Sequence, residues 1–216
     1  ALPHGSSAEK ISPYISEGLK VIDLSADFRL HDVQVYEQWY QTNHRHPNHV
    51  AKAVYGLPEI HRESISSTKL TANPGCYPTS AILALAPAIK AGIVENDIII
   101  DSKSGTSGAG RKAQQALLHS EINENLMAYS LEGHRHMPEV TQELDEISTT
   151  GQMRITFVPH LVPMTRGIMS TCYANLKERA GDLVPEIYED FYKDASFTHV
   201  VTKPPMTKHT LGNNNC

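Results

Sequence analysis

Lys69-Leu70-Thr71-Ala72-Asn73-Pro74-Gly75-Cys76-Tyr77-Pro78-Thr79 reads as strand, turn and helix start in eleven residues. Lys69 to Ala72 make a short strand, and Asn73-Pro74-Gly75 is turn chemistry, with proline presetting one φ and glycine free of Cβ constraints. An apolar helix follows over Thr79 to Ala91, closed by Gly92. Cys76 stands where that helix begins. Amide N–H groups without intrahelical partners and the positive end of the helix dipole favour a thiolate there. A thiolate at such a place is a nucleophile toward carbonyl or acyl-phosphate carbon, and the same amides can take up the oxyanion. A buried structural cysteine behind a Pro-Gly turn is the competing reading.

Working back from this stretch, Ser6 to Gly18 reads as a helix capped by Ser6 or Ser7, with Ile11, Tyr14, Ile15 and Leu19 as its apolar stripe. Lys20 to Leu24 reads as a buried strand. Residues 31 to 65 carry no sustained period and read as a long excursion with one short helix near Val35 to Tyr40. Working forward, Asp97 to Ser102 holds the β-branched run Ile98-Ile99-Ile100 of an interior strand. Ser104 to Gly110 is a Gly/Ser loop, and Arg111 to Glu121 has helical composition. Arg154 to Val158 and Gly167 to Leu176 read as two strands joined by a loop with Pro159 and Pro163. Asp182 to Tyr192 is a helix and Thr198 to Val201 a further strand. The first part thus reads as the last unit of an open α/β sheet, and the remainder as α+β, a sheet with helices on one face. The division falls near the strand before Cys76, giving residues 1–72 and 73–216.

The chain has 216 residues, 40% hydrophobic and 20% charged, which fits one large domain or one domain and part of another. A net charge of -5 argues against a nucleic-acid surface. Cys76, Cys172 and Cys216 form no CxxC pair, which fits a reducing compartment. No apolar run approaches a membrane span and no signal peptide opens the chain, so cytoplasmic location is expected. Both ends, Ala1-Leu2-Pro3-His4-Gly5 and Asn213-Asn214-Asn215-Cys216, read as cuts through a longer chain.

Four other stretches carry candidate chemistry. In Gly133-His134-Arg135-His136-Met137-Pro138-Glu139 the two histidines project to one side if the segment is extended, and either suits proton transfer. A polar surface loop, or a metal pair with Cys76, would use the same residues. Ser104-Gly105-Thr106-Ser107-Gly108-Ala109-Gly110-Arg111 can bring backbone amides to an anion, with Arg111 adding charge; a flexible connector has the same composition. Arg166, in Pro163-Met164-Thr165-Arg166-Gly167, suits a carboxylate clamp or is a surface arginine. His44, His46 and His49 read as a solvated loop, Asp23, Asp27 and Arg29 as a structural strand end, and Tyr36, Trp39 and Tyr40 as local packing.

Taken in order, Asp23-Leu24-Ser25-Ala26-Asp27-Phe28-Arg29, Tyr55-Gly56-Leu57-Pro58-Glu59, Asn73 to Thr79, Ser104 to Arg111, His134 to Glu139, Pro159-His160-Leu161 and Arg166-Gly167 closely resemble the N-acetyl-γ-glutamyl-phosphate reductase family over essentially the whole chain. A lineage acting on carrier-bound aminoadipyl phosphate shares most of these motifs, and aspartate-semialdehyde dehydrogenase is a more distant relative. The resemblance implies the C-terminal end of a Rossmann-type domain followed by a mixed-sheet catalytic and dimerisation domain of the semialdehyde dehydrogenase and glyceraldehyde-3-phosphate dehydrogenase type. It implies NADP as cofactor, a small acyl-phosphate substrate, no resident metal, and a homodimer or homotetramer. Ala1 to Ser6 resembles the loop after a later Rossmann strand, and nothing matches the family's Gly-rich NADP loop. The implied site is Cys76 as nucleophile, His134 or His136 as acid–base group with His134 favoured, and Arg166 and Arg111 on the substrate. Ser104, Gly105, Ser107, Gly108 and Asn213 would face the cofactor. The alternatives are the aminoadipyl substrate, a zinc hydrolase built on Cys76 and the histidine pair, or an inactive assembly domain.

Overall fold

In the computed structural model, which describes residues 2–177 and 180–216, the chain divides into two compact units, Ala1–Gly75 and Cys76–Cys216. Ala1, where the expected Ala1 to Ser6 loop begins, lies outside the described residues. Elements are numbered along the chain.

The first unit contains α1 (Ser7–Ser16), β1 (Val21–Asp23), α2 (Val33–Tyr40), α3 (Pro47–Val50), β2 (Val54–Tyr55), α4 (Pro58–Ser67) and β3 (Leu70–Ala72). Its three strands are parallel in the order β1-β3-β2, with Asp23 and Tyr55 both opposite Ala72. Ile11 and Ile15 of α1 pack on a core of Ala8, Phe28, Val50, Leu70 and Ala72, whereas Tyr14 and Leu19 of the expected stripe are about half exposed. Gly18, at φ +82°, ends α1: its amide reaches Ile15 O, and the Leu19 amide reaches Tyr14 O, which satisfies two terminal carbonyls.

The structural reading of Asp23, Asp27 and Arg29 holds in detail. Asp27 is buried and accepts from the amides of Gly5 (2.7 Å) and Ala8 (2.9 Å) at the start of α1, and from the Tyr36 hydroxyl (2.8 Å). Arg29 donates to Asn73 O (2.7 Å) and Leu24 O (2.9 Å), fixing a carbonyl three residues ahead of Cys76. His44 departs from the solvated-loop reading. It is buried, its ring lies edge-on to Phe28 and Tyr36, and its Nε2 is 2.6 Å from Asp27 O; burial lowers its pKa. The 31–65 excursion contains α2, α3, β2 and α4, where one helix was expected.

The second unit contains α5 (Cys76–Lys90), β4 (Val94–Ser104), α6 (His119–Ile122), β5 (Met127–Ala128), α7 (Met137–Ile147), β6 (Arg154–Leu161), β7 (Ile168–Leu176) and α8 (Val184–Tyr192). Its mixed sheet has the order β5-β6-β4-β7, with β4 parallel to β6 and antiparallel to β7. β4 therefore lies between the two strands that follow each other in sequence, and Pro159 belongs to β6, not to the connecting loop. Along β4, Ile98, Ile100, Ser102 and Ser104 are buried while Ile99 between them is half exposed, so one face is covered. α5 packs on β4, β7, α7 and α8.

Pro87 lies inside α5 and has no N–H for Leu83 O. The Tyr192 hydroxyl of α8 donates to that carbonyl, and Tyr188 donates to the neighbouring Ala84 O (2.7 Å). Two expectations fail here. Arg111 to Glu121 is not one helix: residues 115–117 form a single 3-10 turn and α6 a single α-turn. The segment is almost entirely exposed, and helix propensity without an apolar face to bury does not hold a short helix. Thr198 to Val201 is not a strand; His199 instead pairs by its backbone with the terminal residue, donating to Cys216 O (2.9 Å).

Candidate active site

Cys76 is the first residue of α5 and is exposed. The other two cysteines differ in kind. Burial pushes the Cys172 thiol up to about 12, which makes it inert at neutral pH, and Cys216 is exposed and belongs to none of the helices among the described residues. Position at the head of a fifteen-residue helix is what singles out Cys76.

The next residue turns inward. Tyr77 is buried, and its ring lies edge-on to Phe157 of β6 with centroids 5.3 Å apart. Its hydroxyl accepts from the Tyr129 hydroxyl (2.9 Å) and donates to His160 O (3.4 Å). Burial raises the pKa of both tyrosines, and the charge of Cys76 adds to the rise in each, which places the thiol within electrostatic reach of the pair.

Tyr77 and Tyr129 are two walls of a box around His134. The imidazole centroid is 5.5 Å from Tyr77, 5.7 Å from Tyr129, 5.4 Å from Phe157 and 4.9 Å from His136. The histidines are not on an extended segment. They lie in the turn that starts α7, where Met137 N donates to His134 O (2.8 Å), and His136 is the N-cap residue. The turn brings both rings beside Tyr77, with His136 buried and 6.0 Å from it. The His136 amide donates to His134 Nδ1 (3.1 Å), so that nitrogen carries a lone pair. Burial, with a smaller contribution from Arg135, lowers the His134 pKa to about 4.

Beneath the first turn of α5 runs a chain of hydroxyls. Ser80 and Ser170 approach to 2.7 Å, and Ser170 and Ser102 to 2.6 Å. These serines, Tyr77, Tyr129 and Phe157 were absent from the sequence-based site. Tyr77 had a signal in its adjacency to Cys76, while the others meet only through strand pairing and helix-on-sheet packing distant in sequence.

The Ser104–Gly108 segment is a braced turn. The amides of Gly105, Thr106 and Ser107 donate to Gly167 O, Met164 O and Thr165 O at 2.9–3.0 Å. A Cβ on Gly105 would lie 2.8 Å from Arg166 N and 2.9 Å from Thr165 O, so glycine is required there by the 165–166 backbone itself. This brings Arg166, which is exposed, against the Gly/Ser turn, with Ser104 buried at its base. Arg111 is exposed on the irregular segment that follows. Asn213 lies in the terminal turns, where its side chain donates to His209 O (3.1 Å) and accepts from Asn215 N (2.9 Å). Cys76, His134 and His136 do not bring three ligand atoms within 4.8 Å of one another.

A dinucleotide's pyrophosphate is held by backbone amides at a helix start or glycine-rich turn. Among the described residues, the start of α1 is closed by the Asp27 carboxylate, and the amides of residues 105–107 are committed to residues 164–167. These two places do not fit a pyrophosphate.

Comparison with known proteins matches residues 1–68 to the semialdehyde dehydrogenase NAD-binding domain and residues 76–216 to the semialdehyde dehydrogenase dimerisation domain. A curated protein of Dehalococcoides mccartyi named N-acetyl-gamma-glutamyl-phosphate reductase is 50% identical over 217 residues, covering 100% of this chain and 64% of that protein. One of the same name from Heliobacterium modesticaldum is 48% identical over 99% of this chain and 63% of its own length. The chain thus spans a little under two thirds of these relatives. Among solved structures, aspartate semialdehyde dehydrogenase II from Vibrio cholerae aligns with a TM-score of 0.65 at 18% identity over 97% of this chain and 64% of that one. The enzyme from Francisella tularensis gives 0.63 at 16% identity, covering 98% and 68%. At such identity the likeness is one of fold, and it agrees with the expected α/β and mixed-sheet α+β architecture.

Proposed function

We propose, from the premise that the chain belongs to the semialdehyde dehydrogenase family, that it carries the thioester-forming centre of an NADPH-dependent reductase converting N-acetyl-γ-glutamyl phosphate to the γ-semialdehyde and phosphate. The observation that supports this most is Cys76 at the head of α5, with the boxed His134 packed on the residue that follows it. In the step assigned to these residues, the Cys76 thiolate attacks the γ-carbonyl carbon. A C–S bond forms, the C–O bond to the phosphate oxygen breaks, and phosphate leaves with the electron pair of that bond. The amides at the head of α5 stabilise the thiolate and then the tetrahedral oxyanion. His134 is neutral near pH 7, which suits it to donate a hydrogen bond to that oxygen, while His136 is the second candidate for proton transfer. Arg166 on its turn, and Arg111 beyond it, are the groups assigned to the substrate's carboxylate and phosphate.

The nicotinamide cofactor follows from the NAD-binding family match. NADPH as its form is part of the proposal, with Ser104, Ser107 and Asn213 as candidate contacts through side chains and Gly105 and Gly108 as candidates for close approach of the backbone. Because neither the start of α1 nor the 105–107 turn fits the pyrophosphate, no hydride step is assigned to these residues. The same reading includes a homo-oligomeric enzyme, in keeping with the dimerisation-domain match. Among the described residues no helix is long and apolar enough to cross a membrane.

The half-reaction tests the proposal without cofactor. Mixed with N-acetyl-γ-glutamyl phosphate, the chain should release a burst of phosphate that Cys76→Ser abolishes. An equal burst from the serine variant would remove Cys76 from the chemistry.

A further inference from the structure

We propose that Tyr129 is a positioning residue for this centre: its hydrogen bond to Tyr77 joins two rings into a clamp that locks His134 in the tautomer carrying its proton on Nε2. The inference rests on the thioester reading for its kinetic consequence and on geometry alone for its structural one.

The His136 amide already faces His134 Nδ1 at 3.1 Å. Moving a proton onto Nδ1, in either the other neutral tautomer or the cation, would set two N–H donors against each other. That constraint lasts only while the imidazole keeps its place in the turn. Tyr77 and Tyr129 hold it there, edge-on at 88° and 78°. Each tyrosine is tied to β6 through one of two consecutive carbonyls. The Tyr129 amide donates to Pro159 O (3.1 Å), and the Tyr77 hydroxyl donates to His160 O (3.4 Å). The Tyr129–Tyr77 hydrogen bond (2.9 Å) closes the loop between the first turn of α5 and the strand. Immediately after Tyr129 the chain reverses through Ser130 at φ +48°, a conformation that costs a non-glycine residue free energy and persists only where the surroundings impose it. The backbone is bent at the point that leaves the Tyr129 side chain against His134. Burial and the bond to Tyr77 keep the Tyr129 phenol protonated throughout the working pH range, so it is a permanent donor.

A neutral ring with its proton fixed on Nε2 is a hydrogen-bond donor, suited to an oxygen that gains charge. It cannot take the thiol proton through Nε2. The proton relay would then fall to the neighbouring His136, and the clamp sets this division of labour.

The test uses Tyr129→Phe, which keeps the ring and removes the hydroxyl. Long-range proton–nitrogen NMR of the chain reads the His134 ring nitrogens, and the phosphate burst reads the reaction. In the wild type, one pyridine-type and one N–H-type nitrogen are expected. In Tyr129→Phe the two nitrogens should move toward each other as tautomers mix, and the burst rate should fall about tenfold or more, with its substrate-concentration dependence unchanged. If the variant does not fold, Tyr77→Phe removes the acceptor and should give the same two changes. An unaltered pair of nitrogen shifts, with or without a slower burst, overturns the proposal, as does a tautomer change that leaves the rate within about twofold. A wild-type chain without any burst sinks the thioester reading itself, a failure visible before either variant is made.

Discussion

His134 ties the site to stability in a way that can be measured without substrate. Its pKa is lowered from 6.5 to about 4, first by burial and then by Arg135. The unfolded chain therefore binds a proton on this ring near pH 6.5, and the folded chain resists it until about pH 4. A depressed folded pKa contributes stability that is fully present above the unfolded value and is lost as pH falls toward the folded one. Between about pH 7.5 and about pH 4.5 the two-state expression gives a loss of about 2.5 kcal/mol for a shift of this size, or about 2 kcal/mol once the solvent that still reaches the ring is allowed for. Carboxylates also titrate over this range, so the assay is a difference. Urea unfolding of wild type and His134→Asn at both pH values should show the wild type losing about 2 kcal/mol more than the variant. His134→Asn would also be less stable at the higher pH, because the aromatic box is left partly empty. Equal pH losses in the two proteins would refute the neutral, boxed histidine.

Two further predictions concern the scaffold. Tyr192→Phe leaves Leu83 O facing Pro87 without a donor and should cost about 1–2 kcal/mol in denaturant unfolding. Tyr188→Phe should cost less, since Ala84 O faces Ala88, which has an N–H; equal losses would discount the role given to Pro87. Gly105→Ala places a methyl 2.8–2.9 Å from the backbone of Thr165 and Arg166. It should cost about 1–3 kcal/mol and lower the burst rate by displacing Arg166, and an unchanged protein would show that the turn is not braced as described.

The strand–turn–helix around Cys76 was legible because each step is local. A β-run meets Pro-Gly, and an apolar helix follows. α7 was not legible. Pro138 at its start and Val140, Leu144 and Ile147 at helical spacing were present, but Glu139 and Glu143, both buried, interrupt the stripe and disguise it. The 111–121 segment misled in the opposite direction, since helix-favouring composition says nothing of whether an apolar surface exists to receive it. The central place of β4 between β6 and β7, and with it the meeting of Tyr77, Tyr129, Phe157 and His134, follows from pairings across tens of residues. Periodicity in a single sequence does not report such pairings, although the histidine motif itself was visible. Thr198 to Val201 had β-branched residues but no partner strand among the described residues, and Val201 is more than half exposed.

The central claim is that Cys76, and neither other thiol, takes the acyl group. Tandem mass spectrometry of the chain, quenched in acid after brief exposure to N-acetyl-γ-glutamyl phosphate, measures this directly. The account predicts an N-acetylglutamyl adduct on the peptide carrying Cys76, removed by hydroxylamine, with Cys172 and Cys216 unmodified. An adduct on Cys216 or Cys172, or phosphate release with no acyl group on any cysteine, would contradict it.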